Sequence, residues 1–154
     1  MWHYDICHMA QARTRGEAAR LATLLGGRKA LAHAVSEPGD IQEAIRKGLP
    51  YATFEMLMRV LGIRARELAR LLGVAARTLA RRKRSGELSP VESDRLYRVA
   101  RIALRASEAL GTPEKARDWL HRKNRALGGS APISCLDTGV GERQVEDLLG
   151  RIDH

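Results

Sequence analysis

The stretch IRARELARLLGVAARTLARRKRSGELSPVESDRL, Ile63 to Leu96, decides the fold. Residues 65–72 read as a short helix with Leu68, Ala69 and Leu72 on its inner face. Gly73 and Val74 make a turn, and residues 75–84 read as a second helix with Leu79 inward. A small Ala69 lets the second helix approach closely, and Gly73 supplies the left-handed geometry that a side chain resists. This is the helix-turn-helix pattern. Its second helix presents Arg77, Thr78, Arg81, Arg82 and Arg84. In the major groove such a face reaches guanine edges with bidentate arginine and holds phosphates with the remainder. Arg64 before the first helix and Ala75 at the start of the second provide no side-chain cap, a loss of about 1 kcal/mol at a helix start.

The charge pattern supports a polyanion partner for this stretch. Residues 1–63 carry 8 Lys/Arg against 6 Asp/Glu, residues 64–105 carry 12 against 4, and residues 106–154 carry 7 against 8. Nearly all of the net charge of +9 therefore sits around the hairpin, and the end of the chain is built for something else.

The surrounding sequence is helical too. Strong helix formers (Ala, Leu, Arg and Glu) dominate, and no run alternates with a two-residue period. Aromatic residues make up only 4% of the chain, so the core is mostly Leu, Ala, Val and Ile. Residues 15–25 read as a helix stopped by Gly26-Gly27, and residues 40–47 as one capped by Asp40. Residues 51–61 follow Pro50 with Phe54, Leu57, Met58 and Leu61 on one face. Ser89-Pro90-Val91-Glu92 is a capping box opening the longest helix, which runs to Gly111 with Leu96, Val99, Ala103 and Ala106 as its stripe. Thr112-Pro113 starts another helix, to His121, with Trp119 and Leu120 inward. The fold class is all-α, divided into a tail over residues 1–14, a helix-turn-helix domain over 15–105 and a small helical domain over 106–154.

Catalytic and metal chemistry find little footing. His3, Asp5, Cys7 and His8 match no standard zinc spacing. Gly128-Gly129 follows no strand and precedes no Lys-Ser/Thr pair, so it reads as a sharp turn and not as a phosphate cradle. Cys135, on an expected short helix PISCLDT, reads as packing. Cys7 and Cys135 read as free thiols in a reducing compartment, and no leader or membrane span is apparent, so the expectation is a cytoplasmic protein, not an enzyme, with no cofactor.

The C-terminal half carries a resemblance. Trp119-Leu120, Asn124-Arg125-Ala126-Leu127-Gly128-Gly129, Pro132, Leu136-Asp137-Thr138, Gly141 and Val145 to Ile152 closely resemble the toxin-binding domain of Xre/ParS-type antitoxins, the partners of RES-domain toxins. Upstream, Leu25-Gly26-Gly27, Gly48-Leu49-Pro50, the hairpin to Gly73, Thr78-Leu79 and Leu88-Ser89-Pro90 to Leu96 are similar to the Xre/Cro-like N-terminal domain. Lys123 stands where the family pattern has proline.

The resemblance implies an all-helical, dimeric antitoxin. Its C-terminal domain would block the active site of an NAD-consuming RES toxin, and the complex would repress its own operator DNA. On that resemblance the helix near residues 139–152 is expected to meet the toxin, with Glu142, Glu146, Asp147 and Arg151 offered to it and Leu149 and Ile152 offered in part to the domain core and in part to the toxin. A stand-alone transcriptional regulator with a ligand- or protein-sensing C-terminal domain is the alternative.

Overall fold

Glycines and capping residues cut the chain into helices at the places where backbone amides and carbonyls run out of partners. In the computed structural model, which describes residues 16–31 and 35–153, no strand forms among the described residues. The helices are α1 (residues 16–24), α2 (Gly27–Leu31), α3 (Pro38–Lys47), α4 (Tyr51–Leu61), α5 (Ala65–Leu72), α6 (Ala76–Ser85), α7 (Pro90–Leu110), α8 (Pro113–His121) and α9 (Gly139–Ile152). Two 3-10 turns, Arg125–Leu127 and Pro132–Cys135, join α8 to α9. The tail over residues 1–14, with His3, Asp5, Cys7 and His8, lies outside the described residues.

Three boundaries differ from the sequence reading. First, α3 starts at Pro38, two residues before Asp40, with Glu37 as its N-cap residue. Asp40 sits inside the first turn, and its Oδ2 accepts from the amides of Ser36 and Glu37. Second, PISC is a 3-10 turn and not an α-helix. Third, the helix after Gly26 resumes at once as α2.

The capping box at α7 forms as written in the sequence. Ser89 Oγ accepts from the Glu92 amide at 3.2 Å, and Glu92 Oε1 accepts from the Ser89 amide at 2.9 Å. The 21 residues of α7 form the axis of the molecule. Their buried side chains include Leu96, Val99, Ile102, Ala103 and Ala106. The helix packs on α3, α4 and α5 and also on α8 and α9, and a single continuous core runs from Leu21 to Leu149.

Long-range polar contacts fix where the helices start and stop. The Leu49 amide donates to the fully buried Ser93 Oγ at 2.7 Å. Leu88 N donates to Leu49 O and Tyr51 N to Gly86 O, in a short extended crossing of the two linkers. Gly73 closes α5 in the left-handed region at φ 66°, and Arg95 of α7 donates to the free Leu72 carbonyl at 2.8 Å. A Cβ on Gly73 would sit 2.8 Å from Arg95 Nη1, and the left-handed φ itself disfavours a side chain there. Among the described residues, no helix is long and apolar enough to cross a membrane.

Candidate DNA-reading and partner-binding faces

The hairpin places its basic residues in two distinct settings. α5 is anchored by Leu68, Ala69, Leu71 and Leu72, all buried. α6 buries no residue fully, and its N-cap Ala75 makes no side-chain cap bond. Arg77, Arg81 and Arg84 are exposed and share one stripe of α6 at spacings of four and three residues. Thr78 is half-buried at the edge of that stripe. Arg82 turns away from it. Its Nε donates to Glu92 Oε1 at 2.8 Å and its Nη2 to Oε2 at 3.4 Å. Burial works against the charge on Glu92, but the bonds from Arg82 and from Ser89 outweigh it and hold the carboxyl below the ordinary glutamate range.

α9 is held to α7 by a charged seam. Arg101 and Arg105 both reach Glu146 Oε1, at 2.7 and 3.3 Å, and Arg98 approaches Glu142 at 3.9 Å. Arg101 also faces Glu17 of α1 at 3.5 Å, while Arg20 pairs with Glu108 at 2.7 Å. Both carboxylates, expected to meet basic groups of a partner, are here directed at arginines of their own chain. Burial pushes the Glu142 carboxyl above its ordinary range, with Arg98 pulling the other way and Glu146 adding to the rise.

Leu149 lies on the core side of the helix. At 3% exposure it is core, together with Val145, because positions 141, 145 and 149 form the inner stripe of α9. Away from that stripe Val140, Arg143, Gln144, Asp147 and Arg151 are exposed, Val140 to 65%, whereas Ile152, two turns after Val145, is on the inner side and 43% exposed only at the helix end.

The loop between α8 and α9 is knotted on one residue. Asn124 Oδ1 accepts from the Ala126 amide, its carbonyl accepts from Leu127 and Gly129, and its own amide donates to Ser130 O. Gly128 and Gly129 take φ of 66° and 86° to complete this ring. The exposed Lys123, in the place of a stiffening proline, lies outside the knot. Upstream, Arg117 donates to the Val60 and Arg59 carbonyls, and His121 Nε2 lies 2.7 Å from Leu61 O. α8 thereby closes the C-terminal end of α4. Downstream, Gly141 lets α9 lie directly on the Cys135 carbonyl.

A groove of about 480 Å³ lies between α1, α7 and α9, walled by Glu17, Arg20, Arg105, Glu108 and Asp153. Its charges are largely paired with each other. No group of His, Cys, Asp and Glu among the described residues could hold a metal ion, and Cys135 is a free thiol.

These features define a class: a helix-turn-helix protein whose long last helix carries a second, helical domain. Known proteins narrow it. Residues 40–101 match the antitoxin Xre-like helix-turn-helix domain, and residues 105–154 match the antitoxin Xre/MbcA/ParS C-terminal toxin-binding domain. Among curated relatives, the antitoxin Xre of Yersinia enterocolitica is 32% identical over 99 residues, 64% of this chain and 60% of that one. The antitoxin Xre of Photorhabdus laumondii is 39% identical over 70 residues, covering 45% and 47%. That of Pseudomonas putida is 38% identical over 70 residues, covering 46% and 44%. The aligned stretches thus span between 44% and 60% of those relatives' own lengths. The chain belongs to the Xre-type antitoxin family, with both of its domains present.

Proposed function

We propose that this protein is a cytoplasmic antitoxin that neutralises an NAD-degrading RES-domain toxin by covering its active site, and that it represses its own operon as a dimer. The observation that carries the reading is the outer face of α9. Asp147 and Arg151 are exposed on the side of a helix whose opposite face is locked into the core, and Ile152 is exposed at its end, within the matched toxin-binding domain. A rigidly held helix face carrying charged side chains beside the exposed Val140 suits a specific protein interface. The DNA-binding part of the reading is supported by the exposed Arg77, Arg81 and Arg84 on α6.

The test is co-expression with the neighbouring reading frame, expected to encode a RES domain. The complex should copurify, and growth and cellular NAD should be restored. Deleting residues 139–154 would strip Val145 and Leu149 from the core, so Asp147→Arg and Arg151→Glu are the cleaner probes. Each should abolish rescue while leaving the helical circular dichroism unchanged. Full rescue by the double reversal would overturn the assignment of this face. For DNA, Arg77→Ala and Arg81→Ala should each weaken binding to the upstream region and make its salt dependence shallower by about 0.9 in the log–log slope.

A further inference from the structure

We infer that Arg82 is a positioning residue and not a DNA contact: its ion pair with Glu92 sets the angle at which the recognition helix α6 leaves α7. The inference rests on the reading of α6 as the DNA-binding helix. It starts from how little else holds α6. This helix has no fully buried side chain and no side-chain N-cap. Leu79 is only partly buried against the core. Its far end is tied by the Tyr51 amide bonding to Gly86 O.

Between those ends stands the pair. The Glu92 side chain is 10% exposed and that of Arg82 is 25% exposed. Glu92 is itself immobilised, because Oε1 accepts both from Arg82 Nε and from the Ser89 amide of the capping box. The carboxylate therefore has a fixed position on the first turn of the axial helix. A planar guanidinium that donates two bonds to it has a fixed orientation as well. Arg82 also lies off the stripe of Arg77, Arg81 and Arg84, so its direction toward α7 removes nothing from the outward face.

Three variants test this: Arg82→Met, which keeps the aliphatic length; Glu92→Gln, which keeps a residue able to complete the capping box; and Arg81→Ala as comparator. Binding is read by fluorescence anisotropy at several salt concentrations, with a labelled duplex spanning the region upstream of the gene and a scrambled duplex. Hydrogen exchange of the amides of residues 76–85 is read in the same proteins without DNA.

Arg82→Met and Glu92→Gln should weaken upstream binding by similar factors, with the double variant no worse than either single change. Their salt slope should match wild type, since no phosphate contact is lost, whereas Arg81→Ala should be shallower by about 0.9. Exchange across α6 should quicken in both clamp variants and stay unchanged in the second half of α7.

Wild-type binding by Glu92→Gln together with a shallower slope for Arg82→Met would overturn the inference and make Arg82 a phosphate contact. If the wild-type protein binds neither duplex, the DNA reading fails by itself. The clamp is then judged by exchange alone, and unchanged protection of α6 in both variants would overturn it.

Discussion

Two glycines on α9 should respond to the same substitution with opposite signs. Gly141 and Gly150 both lie inside the helix, and in each case alanine gains up to about 1 kcal/mol of helix propensity. Their surroundings differ. A Cβ built on Gly150 meets nothing within 4 Å. A Cβ built on Gly141 would overlap the Cys135 carbonyl oxygen and stand 2.8 Å from its carbon and 3.1 Å from Cys135 Cβ. Relaxed carbon contacts are about 3.5–4.0 Å, so α9 would have to lift off the 3-10 turn. Because the obstacle is backbone, it cannot swing aside, and the cost belongs at the upper end of the range of about 1–3 kcal/mol for overpacking. Lifting α9 also opens gaps beneath Val145 and Leu149, which are 0% and 3% exposed.

After subtracting the propensity gain, Gly141→Ala should cost about 2 kcal/mol, a fall of about 4–8 °C in melting temperature for a chain of this size. Gly150→Ala, in the last turn of the helix, should raise it by about 1–3 °C. Thermal melts followed by circular dichroism at 222 nm give both numbers. Wild-type stability for Gly141→Ala, or shifts of the same sign for the two variants, would refute the close-approach argument.

Three further outcomes follow from the same contacts. Leu149→Ala should lower stability by about 2–5 kcal/mol in urea titrations, while Asp147→Ala on the outer face should change it by less than about 0.5 kcal/mol. Ser93→Ala leaves the Leu49 amide buried without an acceptor and should cost about 1–3 kcal/mol, with faster hydrogen exchange at Leu49. The pH dependence should separate two glutamates. Glu92 titrates below its unfolded value in the folded chain, so its stabilisation is complete above the ordinary glutamate pKa and is lost as the pH falls through the lower folded value. Glu142 titrates above its unfolded value, so the cost of its charge disappears as the pH falls through the raised folded value toward the unfolded one. Glu92→Gln should therefore flatten the acid loss of stability, and Glu142→Gln should steepen it, as read from urea midpoints between neutral and acid pH.

Local grammar made most of the helices legible. Ser89 and Thr112 accept from the amides of Glu92 and Lys115 as their spacing requires, and Gly73 closes α5 as the hairpin pattern demands. Asp40 misled because an aspartate serves equally well as a cap or, as here, inside the first turn bonding back to the amides before it. The faces were harder. Glu142 and Glu146 on α9 read as offered to a partner because periodicity along one helix does not show which other helix its charges meet. The seam that turns them inward depends on Arg101 and Arg105, which lie 45 and 41 residues away from Glu146 along the chain. The recurrence of arginine at 98, 101 and 105 against glutamate at 142 and 146 was a usable signal, though only once the two helices were known to pack. Arg82 was grouped with its basic neighbours for the same reason, because its partner Glu92 belongs to another helix.

The axial helix has no linker in it. Ser93 and Arg95 grip the hairpin half and Arg101 and Arg105 grip the other half, all on one unbroken rod from Pro90 to Leu110. The angle between the two working faces is therefore a matter of residue count. Inserting one residue between Leu96 and Arg101 would turn everything downstream by about 100° and advance it by about 1.5 Å. A change in length along this segment would swing the C-terminal half around the N-terminal one, whereas a substitution would not. Two proteins of this architecture could exchange their C-terminal halves only where the exchange preserves the phase of this helix.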